Sequence, residues 1–159
     1  MKILEKFYNS VLSYDTYLHL TTMYIVCYSR FEYALKMSGF RKKGNYKIAM
    51  ADIDGFFHSL QSIDLDGEEI KKSVKYILEN PPMELQIIRG ELEFRPITLY
   101  PDNPLESIKD SMRTIRNNFF HGNKQIAGNS FKRNAELITH SLKILDRFVE
   151  ENSSVRQHY

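Results

Sequence analysis

The chain has 159 residues, of which 42% are hydrophobic and 26% are charged, and its formal net charge is +2. These values are typical of one globular domain, residues 1–159, and so small a net charge neither requires nor excludes a nucleic-acid partner. The single cysteine, Cys27, excludes an internal disulfide, and the longest apolar run, residues 23–28, is far too short to cross a bilayer. Because no signal-peptide core is present near the first residue, we expect a cytoplasmic protein without membrane contact.

Apolar residues recur at helical spacing along most of the chain. The pattern predicts helices at residues 2–13, 15–37, 45–60, 66–79, 104–121 and 129–151. The helix over 15–37 is apolar around most of its circumference, which indicates either the central helix of the domain or part of an oligomer interface. Residues 152–159 are expected to form a disordered tail.

Residues 83–99 break the helical pattern. Leu85 and Ile87 alternate with polar residues before Arg89-Gly90, and Leu92 and Phe94 alternate after it. This spacing predicts a small β-hairpin inserted between helices. The expected fold class is therefore all-α, a helical bundle with a β-hairpin insertion near residues 83–99.

The helix over residues 104–121 carries the densest polar chemistry in the sequence. Asn103 is a good N-cap and Pro104 fits the first helical position. An apolar stripe that must face a core follows at Leu105, Ile108, Met112, Ile115 and Phe119. A second face of the same helix holds Arg113, Arg116, Asn117, Phe120 and His121.

Arg116, Asn117 and His121 combine a permanent cation, an amide and an imidazole within six positions. Such groups can hold a phosphate and move a proton beside it. On a straight helix, however, Arg116 and His121 diverge by about 140°. They converge on one ligand only if the helix ends near His121 or if the ligand spans both. The alternative is structural: Arg116 caps a neighbouring element, and His121 sits at a helix C-terminus, where a cation is favoured.

Further charged residues belong to the same hypothesis. Glu32 interrupts the apolar helix over 15–37, and it is a candidate partner for an arginine elsewhere, Arg116 included. Phosphate contacts are assigned to basic residues near the motif and to one basic loop. These residues are Arg113, Lys124, Lys132 and Arg133, with Arg41, Lys42 and Lys43 in the loop. The alternative is ordinary solvated surface, which explains Lys42 and Lys43 equally well.

No metal or cofactor site is predicted. The five histidines include no pair at positions i and i+4, and one cysteine cannot build a zinc cluster. A glycine-rich phosphate loop and a nucleophile elbow are also missing. Metal-free chemistry by arginine and histidine suits RNA, because its 2′-hydroxyl is a nucleophile already next to the phosphorus. A histidine near its usual pKa of about 6.5 can deprotonate that hydroxyl.

The segment Arg116-Asn117-Asn118-Phe119-Phe120-His121 resembles the R-N-x3-H form of the motif that marks the HEPN superfamily, a helical fold of nucleases and toxins. The resemblance covers roughly residues 20–150, apart from the insertion at 83–99, and includes Arg30-Phe31-Glu32 on an earlier helix. It implies a dimer in which two motifs form one composite RNA-cleaving site, with Arg116 and His121 catalytic and Asn117 positioning the histidine or a phosphate.

The resemblance also implies a role in phage defence or in a toxin–antitoxin pair, with an antitoxin or another protein as partner. Related toxins often carry a tyrosine two positions after the histidine, where this chain has Asn123. The alternatives left by the sequence are a catalytically silent HEPN-like module that binds RNA, a nucleotide or a protein, and a helical scaffold whose motif is only a polar helix end.

Overall fold

In a computed structural model of the protein, the structure describes residues 14–44, 47–60, 67–120 and 130–159. The elements in chain order are helices α1 (Tyr14–Met37), α2 (Ile53–Ser59) and α3 (Glu68–Glu79), strands β1 (Met83–Ile88) and β2 (Glu91–Pro96), and helices α4 (Pro104–Phe120), α5 (Ser130–Glu151) and α6 (Ser153–His158). This part of the chain is mainly helical with one small antiparallel sheet, as predicted. The helix predicted over residues 2–13 lies outside the described residues.

The core is built where α5 packs against α3 and α1, with α4 and α6 closing the sides. Aromatic rings run through it from α1 to α5 in tilted and edge-to-face contacts, for example Phe31 with Phe56 at 5.2 Å and Phe57 with Phe148 at 5.1 Å between centroids. Such contacts add to the free energy gained by burial. None of the described helices is both long and apolar enough to span a bilayer.

Helix α1 is the central helix, but it does not bury its whole circumference. Tyr24 and Phe31 are fully or almost fully buried, and the Tyr24 hydroxyl donates a 3.0 Å hydrogen bond to the carbonyl of Met112 in α4. On another side α1 leaves large apolar side chains exposed, including Val26 at 55% and Tyr33 at 44%.

Helix α4 follows the sequence prediction closely. The Asn103 side chain accepts a hydrogen bond from the Glu106 amide at 3.1 Å, and Pro104 is the first helical residue. Of the predicted stripe, Ile108, Met112 and Ile115 are buried, while Leu105 and Phe119 pack against the core from its edge. The buried stripe sets the rotation of α4 and thus the direction in which its polar face points.

The predicted hairpin is present and is tied to α4. Leu85 pairs with Phe94 and Ile87 with Leu92, on either side of a tight turn. Arg89 and Gly90 both have positive φ, 52° and 88°, as the favoured two-residue hairpin turn requires. The Asn118 side chain donates a 2.7 Å hydrogen bond to the Met83 carbonyl and so holds the start of β1 against α4.

The helix predicted over 45–60 is shorter than expected, because Asp52 begins it. The Asp52 carboxylate accepts a 3.0 Å hydrogen bond from the Gly55 amide, and its atoms fill the space that a Cβ at Gly55 would need. The preceding backbone is held instead by an isolated bridge between Arg41 and Ala51. Because the backbone before position 53 forms hydrogen bonds with another segment of the chain, it does not form the hydrogen bonds of a helix.

The expectation of a disordered tail at residues 152–159 is wrong. Asn152 caps helix α6 by accepting a 3.0 Å hydrogen bond from the Val155 amide, and Val155 is fully buried against the core. Arg30 of α1 donates hydrogen bonds of 2.6 and 3.2 Å to the Tyr159 backbone oxygen. A six-residue segment is too short to show a convincing apolar period, so its packing could not be read from the pattern.

We expect Val155→Ala to lower the free energy of unfolding by about 1–3 kcal/mol, because it removes two buried methyl groups. Arg156→Ala is the matched control, since that exposed side chain makes a surface ion pair with Glu150, worth about 0–1 kcal/mol. Urea denaturation measures both. Equal, small effects would contradict the packing of α6 on the core.

His140 is the buried titratable group between α3 and α5. Its side chain has almost no exposed surface, its Nδ1 lies 3.0 Å from the Ser73 hydroxyl, and its ring stacks on Tyr76 with centroids 4.4 Å apart. Burial lowers its pKa, Lys143 and Lys72 act in the same direction, and Glu136 opposes them. The folded protein therefore favours the neutral ring.

Because the folded-state pKa of His140 is lowered, the unfolded chain binds a proton more readily than the folded one. The stabilisation is complete above the usual histidine pKa of about 6.5 and is lost as the pH falls through the lower folded-state value. Urea unfolding between about pH 7.5 and 5 should show this loss, and His140→Gln should flatten it. An unchanged slope in the variant would rule out His140 as its source.

Candidate functional site

A cleft of about 400 Å³ opens between α1, α4 and the segment that leads into α2. One wall is apolar and comes from residues 49–53, whereas the other is polar and comes from α1 and α4. Its charged lining consists of four cations and two carboxylates: Lys36, Lys42, Arg113, Arg116, Glu32 and Asp54. Tyr28 and Asn117 complete the polar wall. The cleft is large enough for a small ligand and is positive overall.

Arg116 is held in the wall of this cleft by three contacts. Its Nη2 lies 3.4 Å from Glu32 Oε1, its Nη1 donates a 3.1 Å hydrogen bond to Asn117 Oδ1, and its guanidinium carbon lies 4.6 Å from the centre of the Phe120 ring. Its Nε is buried and has no hydrogen-bond partner within the described part of the chain. The guanidinium is thus positioned before any ligand binds, and one of its donors is left unused.

The two neighbouring asparagines of the motif differ in surroundings. Asn117 lines the cleft beside Arg116, whereas Asn118 points the other way and is 4% exposed. Asn118 is used to fasten the hairpin through Met83. Of the two amides in the motif, Asn117 therefore lines the cleft, whereas Asn118 stabilises the fold.

An ion-pair network lies beside Arg116 and joins α2 to α4. Asp54 Oδ1 accepts from Lys109 Nζ at 2.9 Å and from Arg113 Nη2 at 2.8 Å. Lys109 also pairs with Glu106. The hydrogen bond from Lys109, assisted by Arg113, lowers the pKa of Asp54 despite some desolvation. Asp54 is therefore a carboxylate at neutral pH.

Two further pKa shifts describe the polarity of this region. Burial alone would lower the pKa of Lys109, but the carboxylates of Glu106 and Asp54 outweigh it and the pKa is raised. Burial raises the pKa of Tyr28 to about 12, and the nearby Glu32 contributes. Tyr28 thus presents a neutral hydroxyl and Lys109 a cation.

The structure brings together part of the predicted site. Glu32 lies against Arg116 as the sequence suggested, and Arg113, Arg116 and Asn117 share the cleft. Of the basic loop, only Lys42 lines it, while the Arg41 backbone bridges to Ala51.

Two of the predicted positions, His121 and Lys124, lie outside the described residues, as does the end of the predicted helix at residue 121. Lys132 is exposed on α5. Arg133 is engaged elsewhere, because it donates a 2.5 Å hydrogen bond to the Pro81 carbonyl and holds α5 to the end of α3.

Sequence reasoning missed several lining residues. Lys36 follows Glu32 by one helical turn, and that i, i+4 spacing is a signal that could have placed both on one face. Asp54 has no such signal, since its partner Arg113 is 59 positions away. The apolar wall around Met50 was assigned to a helix and so was not recognised.

Within the described ranges, no group of three or more histidine, cysteine, aspartate and glutamate side chains is arranged to hold a metal ion. No family model matches the chain, and searches of characterised proteins and of solved structures find no similar protein. The cleft geometry and the motif therefore carry the functional interpretation.

Proposed function

We propose that this chain is a metal-independent endoribonuclease of HEPN type, with Arg116, Asn117 and His121 as its catalytic set. The observation that carries the proposal is the held guanidinium of Arg116 on the wall of a positive cleft. The described part of the chain is mainly helical, which is the fold class that the resemblance implies.

In this mechanism Arg116 holds the scissile phosphate and stabilises the negative charge that builds up in the transition state. His121 takes the proton of the 2′-hydroxyl as that oxygen attacks the phosphorus. The bond from phosphorus to the 5′-oxygen breaks, and this leaving oxygen receives a proton from the second motif of the dimer. The products are a 2′,3′-cyclic phosphate and a 5′-hydroxyl end.

The cations of the cleft support an RNA substrate. Lys36, Lys42 and Arg113 lie on the same cleft as Arg116 and can contact neighbouring phosphates. Arg113 is shared with Asp54, so it is positioned before RNA binds. If successive phosphates of a flexible RNA strand contact these side chains, one internucleotide linkage lies at the motif.

A second copy of the chain is part of the proposal. Helix α1 leaves a row of apolar side chains in solvent: Leu18, Met23, Val26, Tyr33 and Met37. A symmetric pair of such faces would cover both rows and could bring two motifs together. The proposal also includes a protein partner, such as an antitoxin, that controls the site. The setting would be phage defence or a toxin–antitoxin pair.

The second candidate function is a catalytically silent module that binds RNA or a nucleotide. It is favoured by one observation, the Glu32 carboxylate beside Arg116, which offsets part of the cation's attraction for phosphate. Binding without cleavage would identify this function.

Cleavage of a labelled RNA should persist in EDTA and fail on a 2′-deoxy substrate. His121→Ala should reduce the rate by at least about 100-fold, the usual scale for a positioned general base. Arg116→Lys should also be impaired, because lysine keeps the charge but lacks the planar fork. The measurement is the initial rate, together with end-group analysis for the cyclic phosphate.

The matched controls are His158→Ala in α6 and Arg95→Lys on the hairpin, which should cleave like wild type. Circular dichroism checks that every variant is folded. Equal cleavage by wild type and His121→Ala would assign the activity to another site or to a contaminant and would overturn the proposal.

Sedimentation equilibrium at tens of micromolar should show a dimer that Val26→Glu dissociates, because the charge would be buried in the interface. Leu92→Glu is the control, since Leu92 is an apolar residue on the hairpin that is more exposed than Val26. A wild-type monomer would contradict the dimer, and loss only with Leu92→Glu would move the interface to the hairpin.

A further inference from the structure

The cleft contains two carboxylates that a site built only for phosphate would not need. Glu32 and Asp54 both line it, among four cations. Asp54 is occupied by Lys109 and Arg113 at 2.9 and 2.8 Å. Glu32 is used less fully, because one oxygen meets Arg116 at 3.4 Å and a carboxylate has about four acceptor sites. Glu32 therefore offers hydrogen-bond acceptors to a ligand in the cleft.

Asn117 supplies the complementary group beside it. Its amide oxygen accepts the hydrogen bond from Arg116, so its NH2 group is the part left to face a ligand. Both side chains touch the same guanidinium, which fixes them as neighbours. The polar wall thus presents acceptors from Glu32 next to donors from Asn117.

We propose that this cleft is a guanine-selective base pocket, in which Glu32 accepts from the N1–H and N2–H groups of guanine and Asn117 donates to its O6. This inference rests on the proposed function, since it names the base beside the cleaved linkage. Unpaired RNA bases are commonly read on this edge and flanked by arginine planes or apolar side chains. Here the wall around Met50 and Ile53 would contact one face of the base, and Lys36, Lys42 or Arg113 its phosphate.

The other bases do not match this order of groups. Adenine places the N1 acceptor where guanine has a donor, so it would meet the Glu32 carboxylate with like polarity. Uracil has one N–H between two acceptors, and cytosine has one amino group beside an acceptor. Only guanine offers two adjacent donors next to an acceptor, the pattern that suits a carboxylate beside an amide NH2.

The test is an amide NMR titration of the full chain with 5′-GMP, IMP, AMP and UMP. GMP should bind at least about 10-fold more tightly than AMP or UMP, the order expected for one bidentate base contact. IMP, which lacks the 2-amino group, should bind with intermediate affinity. Glu32→Gln should weaken GMP binding about 10-fold but should leave AMP binding unchanged or tighter, because the variant removes a carboxylate from the cleft that the phosphate enters.

Glu91→Gln removes the same charge on the hairpin and should change nothing. Arg113→Gln should weaken all four nucleotides to a similar extent, because it acts on the phosphate. Equal binding of GMP and AMP by wild type would overturn the inference without the need for any variant. A preference for GMP that survives in folded Glu32→Gln would overturn the assigned contact.

Mononucleotides contain no internucleotide linkage, so the titration does not depend on cleavage. Selective GMP binding together with failure of cleavage would retain the pocket and overturn the ribonuclease. His121-dependent cleavage with no preference for GMP would retain the ribonuclease and overturn the pocket.

Discussion

Burial of one stripe of α4 determines what the cleft contains. Ile108, Met112 and Ile115 are 0–2% exposed, so their burial fixes the rotation of the helix about its own axis. Because successive residues turn by about 100°, this rotation places Arg113 on the far side of the helix and Arg116 on its flank, roughly 60–80° from the centre of the stripe. The free energy that orients the polar face therefore comes from apolar packing, which no ligand has to supply.

The second constraint is the charge buried under the cleft. Lys109 is 5% exposed, and such a cation is stable only with counter-charges close by. Glu106 comes from the same helix, but Asp54 comes from α2, and the same carboxylate oxygen also accepts from Arg113. Removing one partner would leave the others uncompensated, so α2 is held at the position where it closes the cleft.

Local signals made α4 and the hairpin predictable, because an Asn103 cap, an apolar period and an Arg-Gly turn each act within a few residues. The start of α2 was not predictable in this way, since long-range backbone bonds decide that helix begins only after Asp52. The same holds for the site. Glu32 could be suspected because a charge interrupts an apolar helix, but its distance from Arg116 depends on how α1 and α4 cross.

The pairing of Glu32 with Arg116 decides which ligands the cleft can favour. A half-buried guanidinium loses hydration, and Glu32 at 3.4 Å with the Phe120 ring at 4.6 Å replaces part of it. A simple anion that approaches Arg116 also meets this carboxylate, so its affinity is lower than four cations alone would give. A ligand that carries N–H donors next to its phosphate satisfies both charges at once. The Glu32–Arg116 pair therefore lowers the affinity for simple anions and favours ligands that also carry N–H donors. This holds whether the cleft is a catalytic site or a binding module.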